Sequence, residues 1–545
     1  MLLVDNPVLQ RELLSNLRAP RAFILLLLYQ VALAAVVLIA YPRDNKIDLS
    51  RESASARRLV DFFFVGQFAI ASLMAPSFTA GSISGEKERK TYEMLLASPL
   101  KPWVIVMGKL IAALTHLVVL IIGSLPIIML CLPLGGVSIY ELLAAYLGLV
   151  CAIFLFGSIS VFCSSYFKRT SSSLVVSYVL ILPILLLGVF AWFGFANQGD
   201  LRLFLTLTVV PLFCASISMV LLSITARRLL YPPDIGSQGN EVVDLEKEQR
   251  EAVGLVIQRD QFPDNLFAPP RRRTLMDDAA NPVYDKEMHA ELFSQGTLML
   301  RLVIQLSMML AIPLMAVLLF WFPNLAAYYV GYVLVFNILT APVFTAGSIT
   351  GERERQTLDL LLTTTISSWQ IMWGKLLSGF RVSFVLTAFL MFPMLLACIS
   401  PELSKNWLAM LAFFGICIVA SVFNSVLSLF ISTLVRRTAT SLMTCYVALL
   451  GLYCLPLAIY FLVWNFASAD MDVEFLRTMG VTSPLMAADN VPMTKVASGV
   501  TEARAKIGSW PLVLAYFGVT LGLTALLLVV TAWLFRSRWR LTGRG

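Results

Sequence analysis

Two segments of the chain carry the same acidic, basic and hydroxyl side chains at the same spacing. Residues 76–110 read PSFTAGSISGEKERKTYEMLLASPLKPWVIVMGKL, residues 342–376 read PVFTAGSITGERERQTLDLLLTTTISSWQIMWGKL, and 19 of the 35 positions are identical. Many of the identical residues are polar: Thr79/Thr345, Glu86/Glu352, Glu88/Glu354, Arg89/Arg355 and Lys109/Lys375. Shared hydrophobicity cannot produce polar matches. We therefore interpret each segment as a surface for a specific partner, present twice.

These polar residues do not form a catalytic or metal-binding set. The chain has only two histidines, His116 and His289. Its eight cysteines lie in apolar runs without a CxxC pair: Cys131, Cys151, Cys163, Cys214, Cys398, Cys417, Cys445 and Cys454. The stretch GSISGEKERKT is no phosphate-binding loop, because its glycines are one residue too close and Glu86 stands where lysine is required. We expect no enzyme activity, metal or cofactor in this chain.

Composition predicts an all-α integral membrane protein. Hydrophobic residues make up 58% of the 545 residues and charged residues 14%, far from the average of soluble proteins. A membrane-spanning helix needs roughly 20 apolar residues. We predict about twelve such helices, near residues 23–41, 60–83, 103–133, 140–166, 174–195, 203–225, 297–322, 325–350, 370–398, 407–433, 442–465 and 511–535.

The spans divide into two parallel six-helix repeats. Because each half has an even number of spans, both repeated segments face the same side. We predict a first half at residues 1–228, a polar cytosolic linker at 229–280 and a second half at 281–545. Lysine and arginine in the loops place both termini in the cytoplasm of a cell inner (plasma) membrane, although the loop at 42–59 dissents. The net charge of +8 then indicates contact with anionic lipid, not nucleic acid.

A second recurrence lies ahead of the first span of each half. Asn6, Pro7 and Glu12 match Asn281, Pro282 and Glu287. Asparagine followed by proline is typical of a helix start, and an amphipathic stretch follows in each copy. The pattern predicts two entry helices on the inner membrane surface.

Each repeated segment is predicted to form one amphipathic helix. Ser84 or Thr350 can cap it, and the two glutamates that follow suit its first turn. Tyr92, Leu95 and Leu96 form one apolar face, which the second copy repeats. The opposite face is charged.

Ionisable residues within spans are candidates for function by default. His116, Lys109, Lys375 and Arg381 are the notable ones. The lysines lie close enough to the cytoplasmic ends to reach the headgroups, and for Arg381 snorkelling or a structural pair is favoured over a substrate contact. The scarcity of charge in the spans favours an apolar or amphipathic cargo.

Together, the pattern G-E-x-E-R-x-T-x-x-x-L-L, the later G-K and the NPV…E entry helix resemble the ABC type-2 permease family over both halves. The resemblance implies that a separate ABC ATPase subunit, as a dimer that binds ATP and Mg, docks on a coupling helix in each half. The implied coupling residues are Gly85, Glu86, Glu88, Arg89, Thr91, Leu95, Leu96, Gly351, Glu352, Glu354, Arg355, Thr357, Leu361 and Leu362.

The chain departs from the family pattern in two respects. Family members commonly have glycine just before the threonine, where this chain has Lys90 and Gln356. Most members are also single six-span subunits that pair, whereas this chain resembles a fused pair.

Three functions are compatible with the sequence. The favoured one is the membrane subunit of an ATP-driven exporter. The second is a membrane anchor whose ATPase drives mechanical or assembly work without transport; such a protein would have no continuous cavity between the halves. A secondary carrier predicts activity without ATP and leaves the repeated cytosolic segment unexplained.

Overall fold

The computed structural model describes most of the apolar part of the chain. The described ranges are residues 49–88, 90–129, 137–167, 170–195, 198–230, 281–289, 297–321, 326–399, 406–466, 480–492 and 509–536, with scattered positions between 9 and 34 and residue 478. All regular secondary structure within them is helical. Of the predicted linker at 229–280, residues 229 and 230 end a helix and residues 231–280 lie outside these ranges.

The chain divides into two compact units within the predicted linker, and residues 462–471 group with the first unit. The first unit contains α1 (Leu49–Thr79), α2 (Gly81–Glu88), α3 (Tyr92–Leu96), α4 (Pro102–Gly123), α5 (Leu125–Met129), α6 (Ile139–Tyr166), α7 (Thr170–Gly194), α8 (Gly199–Phe204), a π-helix (Leu205–Val209) and α9 (Val210–Leu230).

The second unit has a similar order of elements. It contains α10 (Pro282–His289), α11 (Thr297–Met315), a π-helix (Ala316–Trp321), α12 (Ala326–Thr345), α13 (Thr350–Glu354), α14 (Leu358–Thr363), α15 (Ser368–Ala397), α16 (Trp407–Leu434), α17 (Thr438–Phe466), a 3-10 turn (Gly480–Thr482), α18 (Pro484–Asp489) and α19 (Trp510–Arg536).

Nine helices in the described ranges are long and apolar enough to cross a membrane. Shorter apolar stretches, Ser173–Val189 and Gln305–Met315, lie within α7 and α11. Each of these eleven overlaps one predicted span. The first predicted span, 23–41, lies almost wholly outside the described residues. The total of twelve therefore stays a prediction.

One 28-residue helix forms the centre of each unit: α6 in the first and α16 in the second. The former packs against α1, α4, α7 and α9, and the latter against α12, α15 and α19. Small residues permit this close packing. At Gly157 in α6, a Cβ atom would lie 2.7 Å from Leu114 Cδ1. Buried serines in both helices donate their hydroxyl to a carbonyl one turn earlier, as Ser428 Oγ does to Asn424 O at 2.7 Å.

Prolines interrupt several of the long helices, and hydroxyl groups compensate for them. A proline inside a helix removes one backbone hydrogen bond and disturbs the carbonyls of the preceding turn. In four helices a hydroxyl from another element donates, at 2.8 Å, to the carbonyl three residues before the proline: Tyr178 to Leu73 before Pro76, Tyr446 to Leu339 before Pro342, Tyr329 to Leu390 before Pro393, and Ser483 to Tyr453 before Pro456. Such pairing makes a kinked helix tolerable in hydrocarbon.

A buried network of polar side chains joins four helices of the second unit. Asn337 Nδ2 in α12 donates to Thr387 Oγ1 of α15 at 2.8 Å and to Ser421 Oγ of α16 at 2.9 Å. Asn424 Nδ2 of α16 donates to Asn337 Oδ1 at 2.8 Å, and Tyr453 OH of α17 donates to Asn424 Oδ1 at 2.7 Å. The positions that correspond to Asn337 and Asn424 in the first half are Ala71 and Phe156, both fully buried. The network therefore belongs to the second unit alone.

The network predicts a measurable coupling between the two asparagines. We expect Asn337→Ala and Asn424→Ala each to lower stability by about 1–3 kcal/mol, because each leaves a buried partner without a hydrogen bond. The double variant should lose less than the sum, with a coupling of about 0.6–1.7 kcal/mol. Thermal unfolding in detergent would measure it. Ser425→Ala, which removes only a bond to Ser421 O in the same helix, is the control. Strictly additive losses would show that the asparagines act independently.

Candidate functional site: the two repeat segments

The repeated polar residues lie where one long helix turns into the next. We define the first repeat segment as residues 81–97 and the second as residues 347–363. The sequence analysis predicted one amphipathic helix in each, and this prediction is wrong. The structure has two short helices in each segment, α2 and α3 in the first and α13 and α14 in the second. The predicted caps are also absent, since the Ser84 and Thr350 hydroxyls donate to Ala80 O and Ala346 O one turn earlier.

The break between the short helices is a residue in the left-handed backbone region. Lys90 and Gln356 both have φ of 58°. A side chain in this region is costly, which is why glycine is favoured there. The sequence gives little warning of the break, because neither copy has glycine. The departure from the family pattern noted above falls on these two residues.

A glutamate–threonine pair closes the turn around each left-handed residue. The Thr91 amide donates to Glu86 O at 3.0 Å and the Thr357 amide to Glu352 O at 2.9 Å. Each threonine hydroxyl also donates to the carboxylate of the same glutamate. The glutamate and threonine common to both segments therefore stabilise the turn by hydrogen bonds across it.

The second glutamate of each segment caps a neighbouring helix. The Thr170 amide, at the start of α7, donates to Glu88 Oε1 at 2.9 Å. In the second unit, the Thr438 amide at the start of α17 donates to Glu354 Oε1 at 3.1 Å. The threonine hydroxyls donate to the same carboxylates. A carboxylate at a helix N-terminus satisfies open amides and interacts favourably with the helix dipole.

A basic residue of each segment caps the end of the central helix. Lys87 Nζ donates to Ser165 O at 2.5 Å, near the end of α6. Arg353 donates to Val435 O at 2.6 Å and to Thr433 O at 3.2 Å, at the end of α16. These carbonyls have no partner within their own helix, and a cation satisfies them. Burial raises the pKa of the nearby Tyr92 phenol, whose neutral ring lies 5.5 Å from Lys87 Nζ.

The lysines of the Gly-Lys pairs are buried and ion-paired. Lys109 Nζ lies 2.9 Å from Glu86 Oε1 and its side chain is 4% exposed. Lys375 Nζ lies 2.8 Å from Glu287 Oε1 and 3.2 Å from Glu352 Oε1, and its side chain is 1% exposed. The expectation that these lysines reach the headgroups is therefore wrong. Each ammonium instead ties its repeat segment to the following long helix.

The second entry helix docks on α15 through the same site. Asn281 Oδ1 accepts hydrogen bonds from the amides of Val283 and Tyr284, which confirms it as the cap of α10. Gly374 lies directly beneath, where a Cβ atom would come within 2.9 Å of Tyr284 N. Arg381 donates to Tyr284 OH at 3.0 Å, so it makes a structural contact. Asn6, Pro7, Glu12 and also Arg89 lie outside the described residues.

The side chains left exposed differ from those that hold the segment in place. Met94 is 75% exposed and its equivalent Leu360 is 68% exposed. Glu93 and Asp359 beside them are exposed, whereas Tyr92 and Leu358 are buried. Among the remaining predicted residues, Arg355 is exposed, Leu362 is buried, and Gly85, Leu95, Leu96, Gly351 and Leu361 are half-buried. Each segment thus presents one large apolar side chain next to an acidic one.

One buried ion pair far from the segments has no signal in the sequence. Arg202 of α8 donates to Asp61 Oδ1 of α1 at 2.8 Å, and the Arg202 guanidinium stacks on Trp192 at 4.3 Å. Both residues lie at the edges of predicted spans and are 141 positions apart. Nothing local in the sequence pairs them. Within the described residues, no group of three or more His, Cys, Asp and Glu side chains could hold a metal.

The left-handed residues predict a stabilising substitution. We expect Lys90→Gly and Gln356→Gly each to raise stability by about 0.5–1 kcal/mol. Relief of the left-handed conformation should exceed the added freedom of the unfolded chain. Thermal unfolding in detergent measures the gain. Lys90→Ala and Gln356→Ala are matched controls that keep the Cβ atom, and an equal gain from alanine would contradict the explanation.

Comparison with known proteins agrees with this arrangement. The family described as ABC-2 family transporter protein matches the chain twice, over residues 7–207 and 202–538. A search of curated proteins found no match. The two family matches cover nearly the whole length and correspond to the two halves seen in the repeat. The chain therefore belongs to the ABC-2 transporter family and is a membrane permease component of an ABC transporter.

Proposed function

We propose that the chain is the transmembrane subunit of an exporter driven by a separate ABC ATPase, which docks as a dimer on the two repeat segments. Family membership supports a separate ATPase. The docking site is inferred from two exposed apolar side chains, Met94 and Leu360, which lie at equivalent positions on the two segments. ATP and Mg bind to the ATPase, and this chain holds no cofactor. The membrane is the cell inner (plasma) membrane, with both repeat segments and both termini cytoplasmic.

The proposed docking surface consists of the side chains that remain exposed in each segment. A large apolar anchor with polar neighbours is typical of the centre of a protein interface. Met94 beside Glu93, and Leu360 beside Asp359, have this character. The carboxylates of Glu86, Glu88, Glu352 and Glu354 already accept hydrogen bonds within the chain. We therefore propose that these glutamates transmit force and that the exposed pairs bind the ATPase.

Three contacts of each segment would pass its movement on to long helices, and we call this arrangement the lever. In the first unit, Glu88 holds the start of α7, Lys87 holds the end of α6, and Glu86 holds Lys109 of α4. In the second unit, equivalent contacts reach α17, α16 and α15. A displacement of either segment by the closing ATPase dimer would move three long helices together. Such rigid-body motion shifts a transporter between two states that differ in free energy by only a few kcal/mol.

The docking surface predicts a loss of ATPase binding when both anchors are truncated. We expect Met94→Ala with Leu360→Ala to reduce co-purification of the ATPase by on the order of tenfold or more, because buried anchors dominate interface energy. Quantitative pull-down from solubilised membranes measures this. Ile399→Ala is the control, since Ile399 is similarly exposed, at 79%, but follows the end of α15 that is far from the second repeat segment. Unchanged binding in the double variant would refute the proposed surface.

The lever predicts a separation of binding from coupling. We expect Glu88→Gln with Glu354→Gln to retain the ATPase, because neither carboxylate belongs to the proposed docking surface. The change in ATP hydrolysis rate that the permease imposes should fall to less than about half, because a neutral amide holds a helix N-terminus more weakly than a carboxylate. The rate is measured on the purified complex in lipid. The conservative pair Glu88→Asp with Glu354→Asp keeps the charge and should recover part of the coupling. Loss of ATPase binding in the glutamine variant would contradict the division of roles.

A further inference from the structure

An apolar groove opens between three helices of the first unit. It is bounded by Met107 of α4, by Cys151 and Phe154 of α6 and by α9 from Pro211 to Leu222, with a volume of about 340 Å³. The lining is almost entirely hydrocarbon and sulfur. Among the described membrane-length helices of this unit, α9 is also the least buried. A groove of this character, on the exposed side of a long apolar helix, suits an apolar ligand and not a polar cargo.

The length of the groove matches one leaflet of a membrane. Pro211 and Leu222 are eleven residues apart, which is about 16 Å along a helix. Half of the hydrocarbon core of a bilayer is about 15 Å. The groove can therefore hold one acyl chain at full depth.

Basic residues stand at one end of the helices that border the groove. Lys101 precedes the first residue of α4, and Arg227 and Arg228 lie in the last turn of α9. The Arg228 guanidinium stacks on the Tyr166 ring at 3.6 Å, and its buried Nε has no hydrogen-bond partner among the described residues. Lys101 and Arg227 are exposed. This end has the charge that attracts an anionic headgroup.

The second half has different residues at the corresponding positions. Trp373 stands where the first half has Met107, and it packs against the core of its unit with Val422. Ser367 replaces Lys101. When Thr225-Ala226 is aligned with Thr531-Ala532, Trp533 and Leu534 replace the two arginines. Met107, Lys101 and both arginines are thus replaced at the equivalent positions, although α19 carries Arg536 in its last turn.

We infer that the groove of the first unit binds one anionic phospholipid of the cytoplasmic leaflet. One acyl chain lies between α4, α6 and α9, and the phosphate interacts with Arg227, Arg228 and Lys101. The leaflet follows from the orientation in the proposed function, but the site itself requires no ATPase. The headgroup lies close to the first repeat segment, because Arg228 also interacts electrostatically with Tyr92 of α3. The lipid is a resident part of the permease and not its cargo.

The test uses the purified full-length chain without an ATPase. The protein is equilibrated with equal amounts of palmitoyl-oleoyl phosphatidylglycerol and phosphatidylcholine, and native mass spectrometry measures the retained lipid. We expect one phosphatidylglycerol per chain. Arg227→Gln with Arg228→Gln should lower its retention about tenfold or more, since each basic residue contributes to the attraction. Met107→Trp, which copies the residue of the second half, should exclude the acyl chain. Arg436→Gln with Arg437→Gln, an exposed pair in the second unit, removes the same charge and should retain the lipid.

A second measurement keeps the test valid if Met107→Trp does not fold. A phosphatidylglycerol analogue with a diazirine on its acyl chain is crosslinked to the wild-type protein, and the labelled peptides are identified. Label concentrated in α4, α6 and α9 supports the site. Equal retention of the neutral lipid, unchanged retention in the arginine variant, or label spread over all lipid-facing helices would overturn it. Because no ATPase takes part, these outcomes are independent of whether the repeat segments bind one.

Discussion

A buried lysine ammonium in each half determines how the rest of the permease is joined. Lys109 and Lys375 are removed from water, and a charge in such surroundings is tolerated only with a partner. The partner is the first glutamate of the repeat segment, which also closes the turn around the left-handed residue. The same contact therefore shapes the segment and attaches it to the next long helix. A segment held in this way cannot move without moving its helices.

The same constraint governs the interior of both units. Hydrocarbon offers no hydrogen bonds, so each backbone or side-chain polar group needs a partner within the protein. Pro76, Pro342, Pro393 and Pro456 each remove a backbone hydrogen bond from a helix, and a hydroxyl from a neighbouring element donates to a carbonyl of the preceding turn. Ser483, between the 3-10 turn and α18, gives one example. Its hydroxyl donates to the carbonyl of Tyr453, and the turn and α18 pack against the long helices of the unit.

Apolar runs in the sequence were sufficient to predict the long helices, because a span of hydrocarbon demands a continuous stretch of apolar residues. The repeat of polar residues was sufficient to locate the segments. It could not reveal what Glu88 or Glu354 does, since a carboxylate that binds a partner and one that caps a helix leave the same signal. The left-handed turn was hidden because Lys90 and Gln356 are not glycines. The Asp61–Arg202 pair and the asparagine network were hidden because their members are far apart in the sequence and lie among apolar neighbours.

The two halves are alike at the repeat segments and different within the hydrocarbon. The Glu86–Thr91 and Glu86–Lys109 contacts recur between the equivalent residues of the second half, whereas Phe156 corresponds to Asn424, and Met107 to Trp373. Hydrogen bonds between Asn337, Asn424 and Tyr453 hold the second unit in one arrangement. At the corresponding positions the first unit has apolar side chains, and a different set of buried hydrogen bonds joins Gln67, Ser124 and Tyr146. The same displacement of both segments would therefore meet different internal contacts in the two units. Fusion of the halves in one chain permits this difference, because each half can acquire substitutions that the other does not share.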